Sequence, residues 1–226
     1  MKNFLFVFTL CIVFASCTSQ KNTEDFINAT SGRYLFNANE VLEIYFEETE
    51  MHAKWRGNDY KDLLKINDST FYMKALNEKM IFVNKPEMHI ELAPKTEHDG
   101  IVYHFDKMEK GEKTPDEYFK NKEYDKALAG YLHIQQQDSL NPNIKEYTLN
   151  RLGYSYLNNK EEEKAIEIFK INRALYPKSS NVYDSLGDGY LAKKDTTNAI
   201  EYYKQALAIN PENRNAKKAY TKLTTK

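Results

Sequence analysis

Leu152, Gly153, Tyr156, Ala165, Phe169 and Pro177 recur as Leu186, Gly187, Tyr190, Ala199, Tyr203 and Pro211, every pair 34 residues apart. Six matches at one offset define an internal repeat, and a repeat restricts the possible folds more than composition does. Within each copy the apolar positions follow a period of 3.6, so each copy reads as two amphipathic helices. The residue types suit a helical pair. Gly153 and Gly187 allow two helices to approach closely, and Ala165 and Ala199 fill the narrow crossing. Phe169 and Tyr203 are placed to wedge between neighbouring pairs, while Pro177 and Pro211 end one copy and set the turn into the next.

This spacing and these residue types resemble the tetratricopeptide repeat. A degenerate unit precedes the two clear ones, with Tyr118, Ala127 and Tyr131 in matching positions and Ala127 lying 38 residues before Ala165. Thr114-Pro115-Asp116-Glu117 predicts a helix start, with Thr as N-cap, Pro at the first helical position and Glu closing a capping box. Asn141-Pro142, Ser179-Ser180 and Asn210-Pro211-Glu212 mark later starts. After Pro211, Ala216, Tyr220 and Leu223 form one stripe of a final capping helix, with Lys217, Lys218 and Lys222 outward. The array expected over residues 114–226 is short of the about three units that such arrays need. The segment before it is therefore expected to pack against the first unit.

Upstream the period is two. Leu42, Ile44 and Phe46 alternate with Glu43, Tyr45 and Glu47, and Met51, Ala53 and Trp55 alternate with His52, Lys54 and Arg56. Further strand candidates fall at 62–66, 70–74, 79–83, 87–92 and 101–106. Turn residues separate several of them, at Gly57-Asn58-Asp59, Asn67-Asp68-Ser69, Asn77-Glu78 and His98-Asp99-Gly100. Short strands without intervening helices predict an antiparallel meander, a small barrel or half-barrel, over residues 31–110. The expected fold class is α+β: this β domain, then the helical repeats.

The first residues read as a targeting segment. Phe4 to Ala15 is apolar apart from Thr9, too short for a membrane span of about 20 residues but matched to a signal-peptide core. Phe14-Ala15-Ser16-Cys17 resembles the lipobox of bacterial lipoproteins. That resemblance implies a signal peptide over residues 1–16 and lipidation of Cys17 as the new N-terminus, through acyl chains each contributing about 0.8 kcal/mol per buried CH2. The only other cysteine, Cys11, lies in the removed segment, so no disulfide framework is expected. Residues 17–30 read as a polar, lipidated tether. By resemblance to known sorting rules, Thr18 rather than Asp after the cysteine points away from inner-membrane retention. The expected location is the bacterial cell envelope, at the outer membrane, on either face.

The 32 basic and 33 acidic side chains nearly balance, which argues against nucleic acid as a partner. No Gly-x-Ser-x-Gly, Ser-x-x-Lys, Gly-rich phosphate loop or His-Glu-x-x-His occurs, so no catalytic residue, cofactor or metal is expected. His89 with Glu91 and His104 with Asp106 share strand faces, and are read as outward polar positions. The groove-facing positions of the repeats are Tyr147, Asn150, Tyr154 and Asn158, then Asp184, Asp188 and Leu191. They predict a protein or peptide partner, with tyrosines supplying flat apolar area and asparagines hydrogen bonds. Two readings of them stand: a recognition face, or residues merely solvated or covered by the β segment. The family's basic clamp for a C-terminal carboxylate is replaced by Asp184 and Asp188, so acidic tails are disfavoured.

The stretch from Arg173 through Tyr176-Pro177 to Tyr183-Asp184-Ser185-Leu186-Gly187-Asp188-Gly189-Tyr190 is similar to the repeat tail of bacterial serine hydrolases of the β-lactamase type. Ser31-Gly32-Arg33-Tyr34 and the strands holding Leu63, Leu64 and Phe71 resemble the small β domain before such tails. The catalytic domain with its Ser-x-x-Lys is absent from this sequence. The resemblance thus implies a non-enzymatic, membrane-anchored interaction scaffold, accessory to an envelope hydrolase. A second reading makes the β domain a lipocalin-like cup for a small ligand, lined by Leu42, Ile44, Phe46 and Trp55, with the repeats as docking module.

Overall fold

The computed structural model describes residues 21–225, so the expected signal peptide and the expected lipidation site, Cys17, lie outside the described residues. The chain divides into two compact units. Among the described residues, one is built on residues 42–108 with residues 21–34, the other on residues 109–225 with Leu35–Val41.

The first unit opens with a short helix, α1 (Glu24–Thr30), followed by β1 (Gly32–Asn37), β2 (Glu40–Glu47), β3 (Glu50–Trp55) and β4 (Asn58–Tyr60) in one sheet, in that order. The second sheet is β5 (Leu64–Lys65), β6 (Thr70–Met73), β7 (Glu78–Val83), β8 (His89–Leu92) and β9 (His104–Asp106), again in chain order. The β2–β3 pair and those from β5 to β9 are antiparallel, with Ile44 opposite Ala53, Phe71 opposite Met80 and Ile90 opposite Phe105. A bridge between Tyr34 and Lys107 links the two sheets. The meander predicted by the period-two pattern is therefore present. Alternation places Leu42, Ile44, Met51 and Ala53 in the core with Phe71, Met73, Met80 and Ile90.

Three expectations change here. Residues 17–30 are not all tether: Thr23 accepts from the Phe26 amide at 3.2 Å as the N-cap of α1, whose first turn carries Glu24 and Asp25. Phe26 stacks on Phe71 at 5.8 Å and meets Phe46 and Phe82 edge-on at 6.3 and 5.8 Å. Asn22 donates to the Thr49 carbonyl at 2.8 Å, and the buried Tyr34 hydroxyl donates to the Thr30 carbonyl at 2.8 Å. The β unit therefore begins at Asn22. Asn58-Asp59 is strand rather than turn, because the left-handed backbone falls on Arg56 and Gly57 (φ 51° and 75°) and reverses the chain earlier. His52, an outward position by alternation, is buried against the Tyr45 ring at 5.2 Å.

The second unit is helical: α2 (Pro115–Lys120), α3 (Tyr124–Gln137), α4 (Glu146–Asn158), α5 (Glu162–Leu175), α6 (Ser180–Ala192), α7 (Thr196–Ile209) and α8 (Arg214–Thr224). Thr114 and Glu117 make the predicted capping box. Asn141-Pro142 opens only a 3-10 turn, and α4 starts at Glu146. Asn213, rather than Asn210, caps α8, its Oδ1 accepting from the Ala216 amide at 3.0 Å. The unit also takes in the tip of the β1–β2 hairpin. Asn39 Oδ1 accepts from the Asp116 amide at 3.1 Å, and Ala38 packs on the helical core. Its boundary is therefore not the single cut at 114.

A side chain at Gly187 would lie 2.5 Å from the Tyr203 ring, and one at Gly153 would overlap the Phe169 ring. Each ring lies flat against its glycine. Phe169 also reaches forward, 3.3 Å from where a Gly189 side chain would begin, which is the wedge between successive helix pairs. Ala165, Phe169, Ala199 and Tyr203 are fully buried.

Gly187→Ala gains about 1 kcal/mol of helix propensity, but forcing Tyr203 out of place costs about 1–3 kcal/mol. A net loss of stability is expected in thermal unfolding followed by circular dichroism; a higher melting temperature would show that the ring does not rest on the glycine. Phe26→Ala should remove about 2–4 kcal/mol from the β unit, read as an earlier urea midpoint in the near-ultraviolet signal. An unchanged midpoint would return residues 22–30 to the role of a tether.

Candidate peptide groove of the repeats

The first helix of each pair, α4 and α6, supplies the candidate groove, and α8 extends it as the first helix of an unfinished third copy. The 34-residue period carries Tyr147 onto Asn181 and Asn215, and Asn150 onto Asp184 and Lys218. Turning an apolar face toward α5 and α7 leaves these positions on the other face.

The seven predicted residues fall into three groups. Tyr147, 71% exposed beside the Arg151 guanidinium at 5.6 Å, stands open with Asn158 and Leu191. Asn150, Tyr154 and Asp188 are half-buried and tied into one network. Ser185 donates to Asn150 Oδ1 at 2.6 Å, Tyr154 donates to Asp188 Oδ2 at 2.7 Å, and Tyr203 donates to Asp188 Oδ1 at 2.6 Å. Asp184 is the outlier, only 3% exposed.

The network has a repeat logic that hydrophobic periodicity does not reveal. Asp188 precedes Tyr203 by 15 residues, and Asp116 precedes Tyr131 by the same interval, with the Tyr131 hydroxyl bonded to Asp116. In the middle copy both members change. Tyr154 takes the aspartate's place and Phe169, 15 residues later, has no hydroxyl to satisfy. Tyr154, edge-on to Phe169 at 5.3 Å, instead sends its hydroxyl forward to Asp188 of the next copy. Burial raises Tyr131, Tyr154 and Tyr203 well above the ordinary phenol range, so they act as donors. Asp188 is thus first a structural acceptor and only then part of a surface. Its role escaped a pattern search for apolar positions, although the repeated 15-residue spacing marks it.

Asp184 is different. Burial, reinforced by the charge of Asp188, raises its carboxyl from the usual range to about 6, while the nearby Asn213 and Asn215 side chains pull the other way. Its Oδ1 has no hydrogen-bond partner. Ser185, Asn213 and Asn215 were missing from the predicted set; continuing the period into α8 finds Asn215.

The β unit offers a weaker candidate. Phe26, Phe71 and Phe82 fill the interior where the lipocalin-like cup was expected, and Leu42, Ile44 and Trp55 are buried in it. An open cleft of about 990 Å³ does occur beside Asn22, Thr49, Lys61 and Leu64, but none of the four expected cup residues lines it. The His89 and His104 rings meet at 5.7 Å, and among the described residues no group of three or more His, Cys, Asp or Glu side chains is placed to hold a metal. No helix among the described residues is long and apolar enough to cross a membrane.

The tetratricopeptide-repeat family profiles match residues 180–213 and 147–170. No curated protein sequence matches the chain. Similar solved structures include the first TPR domain of human RPAP3, at 22% identity over 48% of this chain and 83% of that one, with a TM-score of 0.35. The Arabidopsis OM64 TPR domain is 18% identical over 49% of this chain and 88% of that one, TM-score 0.34. The Sgt2 TPR domain of Aspergillus fumigatus is 22% identical over 48% and 71%, TM-score 0.34. Residues 147–170 and 180–213 are tetratricopeptide repeats, and an antiparallel β unit precedes them in the chain.

Proposed function

We propose that this protein is a lipid-anchored scaffold of the bacterial cell envelope that holds an extended segment of a protein partner along α4, α6 and α8. The observation that carries this reading is the split of the repeat's first helices. Their backs are sealed by rings on glycines, while Tyr147, Asn158 and Leu191 stay open on the other face. An exposed Tyr and Leu beside asparagines offers flat apolar area and backbone-pairing amides, the composition of a recognition surface. The network from Asn150 to Tyr203 holds this face rigid, so little ordering entropy is spent on binding.

The lipid anchor rests on the lipobox-like Phe14-Ala15-Ser16-Cys17. The partner class rests on the similarity to hydrolase tails: a β-lactamase-type serine hydrolase that lacks such a tail of its own. The protein itself carries out no chemistry in this reading.

A photo-crosslinking residue placed at Tyr147 or Leu191 should trap one partner in intact cells, while the same residue at Lys204, on α7, traps none. Equal yields from both faces would remove the groove. Cys17→Ser should move the protein from the membrane fraction to the soluble fraction after cell fractionation. Retention in the membrane would exclude the acyl anchor.

A further inference from the structure

A carboxylate removed from water is costly unless it is paired or hydrogen-bonded on both oxygens. Asp184 does not meet that condition. It is 97% covered, its Oδ1 is unpartnered, and the next charge on its own helix, Asp188, has the same sign. The groups around it cannot neutralise it. From α4 come Asn150, committed to Ser185, and Tyr154, committed to Asp188. From α7 comes Tyr203, also committed to Asp188. From α8 come the neutral amides of Asn213 and Asn215. Neither aspartate forms an ion pair with any described lysine or arginine. On α8, Arg214, Lys217, Lys218 and Lys222 line an open depression, with Lys218 at the repeat position of Asn150 and Asp184.

The groove thus holds two carboxylates without an ion pair among the described residues and one acceptor atom without a donor. We infer that this site takes a cationic side chain, a lysine or arginine of the bound segment, with Asp184 Oδ1 as its acceptor and Asp188 as the second charge. The inference rests on the shared face of α4, α6 and α8 being the peptide groove. Entry requires the Asn213 and Asn215 side chains at the start of α8 to make room for the incoming group; the Asn213 amide now donates to Ser180 Oγ at 2.9 Å. The planar guanidinium suits two neighbouring carboxylates better than a compact ammonium, so arginine should exceed lysine. Neutral ligands would leave the orphan oxygen as it is, and acidic ones would add a third negative charge.

Ionisation of Asp184 sets the pH dependence. Because its folded-state pKa is raised to about 6, the charged form is disfavoured in the free protein, and this group's contribution to stability is lost as pH rises through that value. A bound cation favours the charged form. Affinity for a basic segment should therefore rise with pH through the same region.

The test uses the mature chain with Cys17→Ser and four pools of capped, otherwise degenerate hexapeptides, each with one fixed residue: Arg, Lys, Ala or Glu. Binding is followed by amide chemical shifts and by the Asp184 carboxyl carbon. The Arg and Lys pools should bind roughly tenfold more tightly than the Ala pool, the low end of what a charge-assisted hydrogen bond contributes. They should also lower the Asp184 titration midpoint and lose their advantage below it. Asp184→Asn, with its fold checked by circular dichroism, should abolish the advantage. An Ala or Glu pool that binds α4 and α6 as well as the basic pools would overturn the cation site and leave the groove standing. Binding of no pool would overturn both. A basic preference that persists in Asp184→Asn, or that does not change with pH in the wild type, would place the cation elsewhere and end the assignment.

Discussion

Everything in the helical unit depends on an aromatic ring lying flat on a glycine 16 residues before it. Phe169 on Gly153 and Tyr203 on Gly187 bring the two helices of each pair into contact at a point where any Cβ would intrude. The same rings then define what can stand beside them. A phenylalanine leaves nothing to satisfy, whereas a buried tyrosine hydroxyl needs an acceptor. The aspartates at 116 and 188 answer that need. A packing requirement on the back of the repeat thereby dictates charge on its front. The acidic character of the groove is partly a by-product of choosing tyrosine over phenylalanine in the core.

Much of this was legible in the sequence, because the repeat uses residue types with few substitutes. A glycine under a ring and an alanine at a crossing are visible as a period of 34. The alternation of Leu42, Ile44, Met51 and Ala53 was visible for the same reason, being tied to burial on a pleated sheet. What escaped notice lacked a period. A seven-residue helix that packs one half-buried ring, Phe26, has no face to repeat, and its polar neighbours Thr23, Glu24 and Asp25 look like a linker until they are seen as cap and first turn. His52 broke the alternation because Tyr45 covers it across the strand pair. In the groove, exposed and structural polar residues look alike in sequence. Asp184 and Asp188 are four residues apart and chemically identical, but one is held by two hydroxyls and the other retains a bare oxygen.

That difference divides labour between the two carboxylates. Asp188 is satisfied from inside, so its charge is stabilised by the fold and persists whatever the groove contains. Asp184 is strained in the resting protein, and local cost of this sort collects where binding later relieves it. Stability and recognition are thus drawn from the same helix face, four residues apart.

The hairpin tip at residues 35–41 has a consequence for how such a protein can arise and be rearranged. Its Asn39 supplies the acceptor for the Asp116 amide, and Ala38 sits on the core of the first pair. A genetic exchange at the apparent junction near residue 110 would separate the helices from seven residues of their own folding unit. Recombination that preserves function must move the strands and the repeats as one cassette, so lineages that share the array should share the hairpin as well.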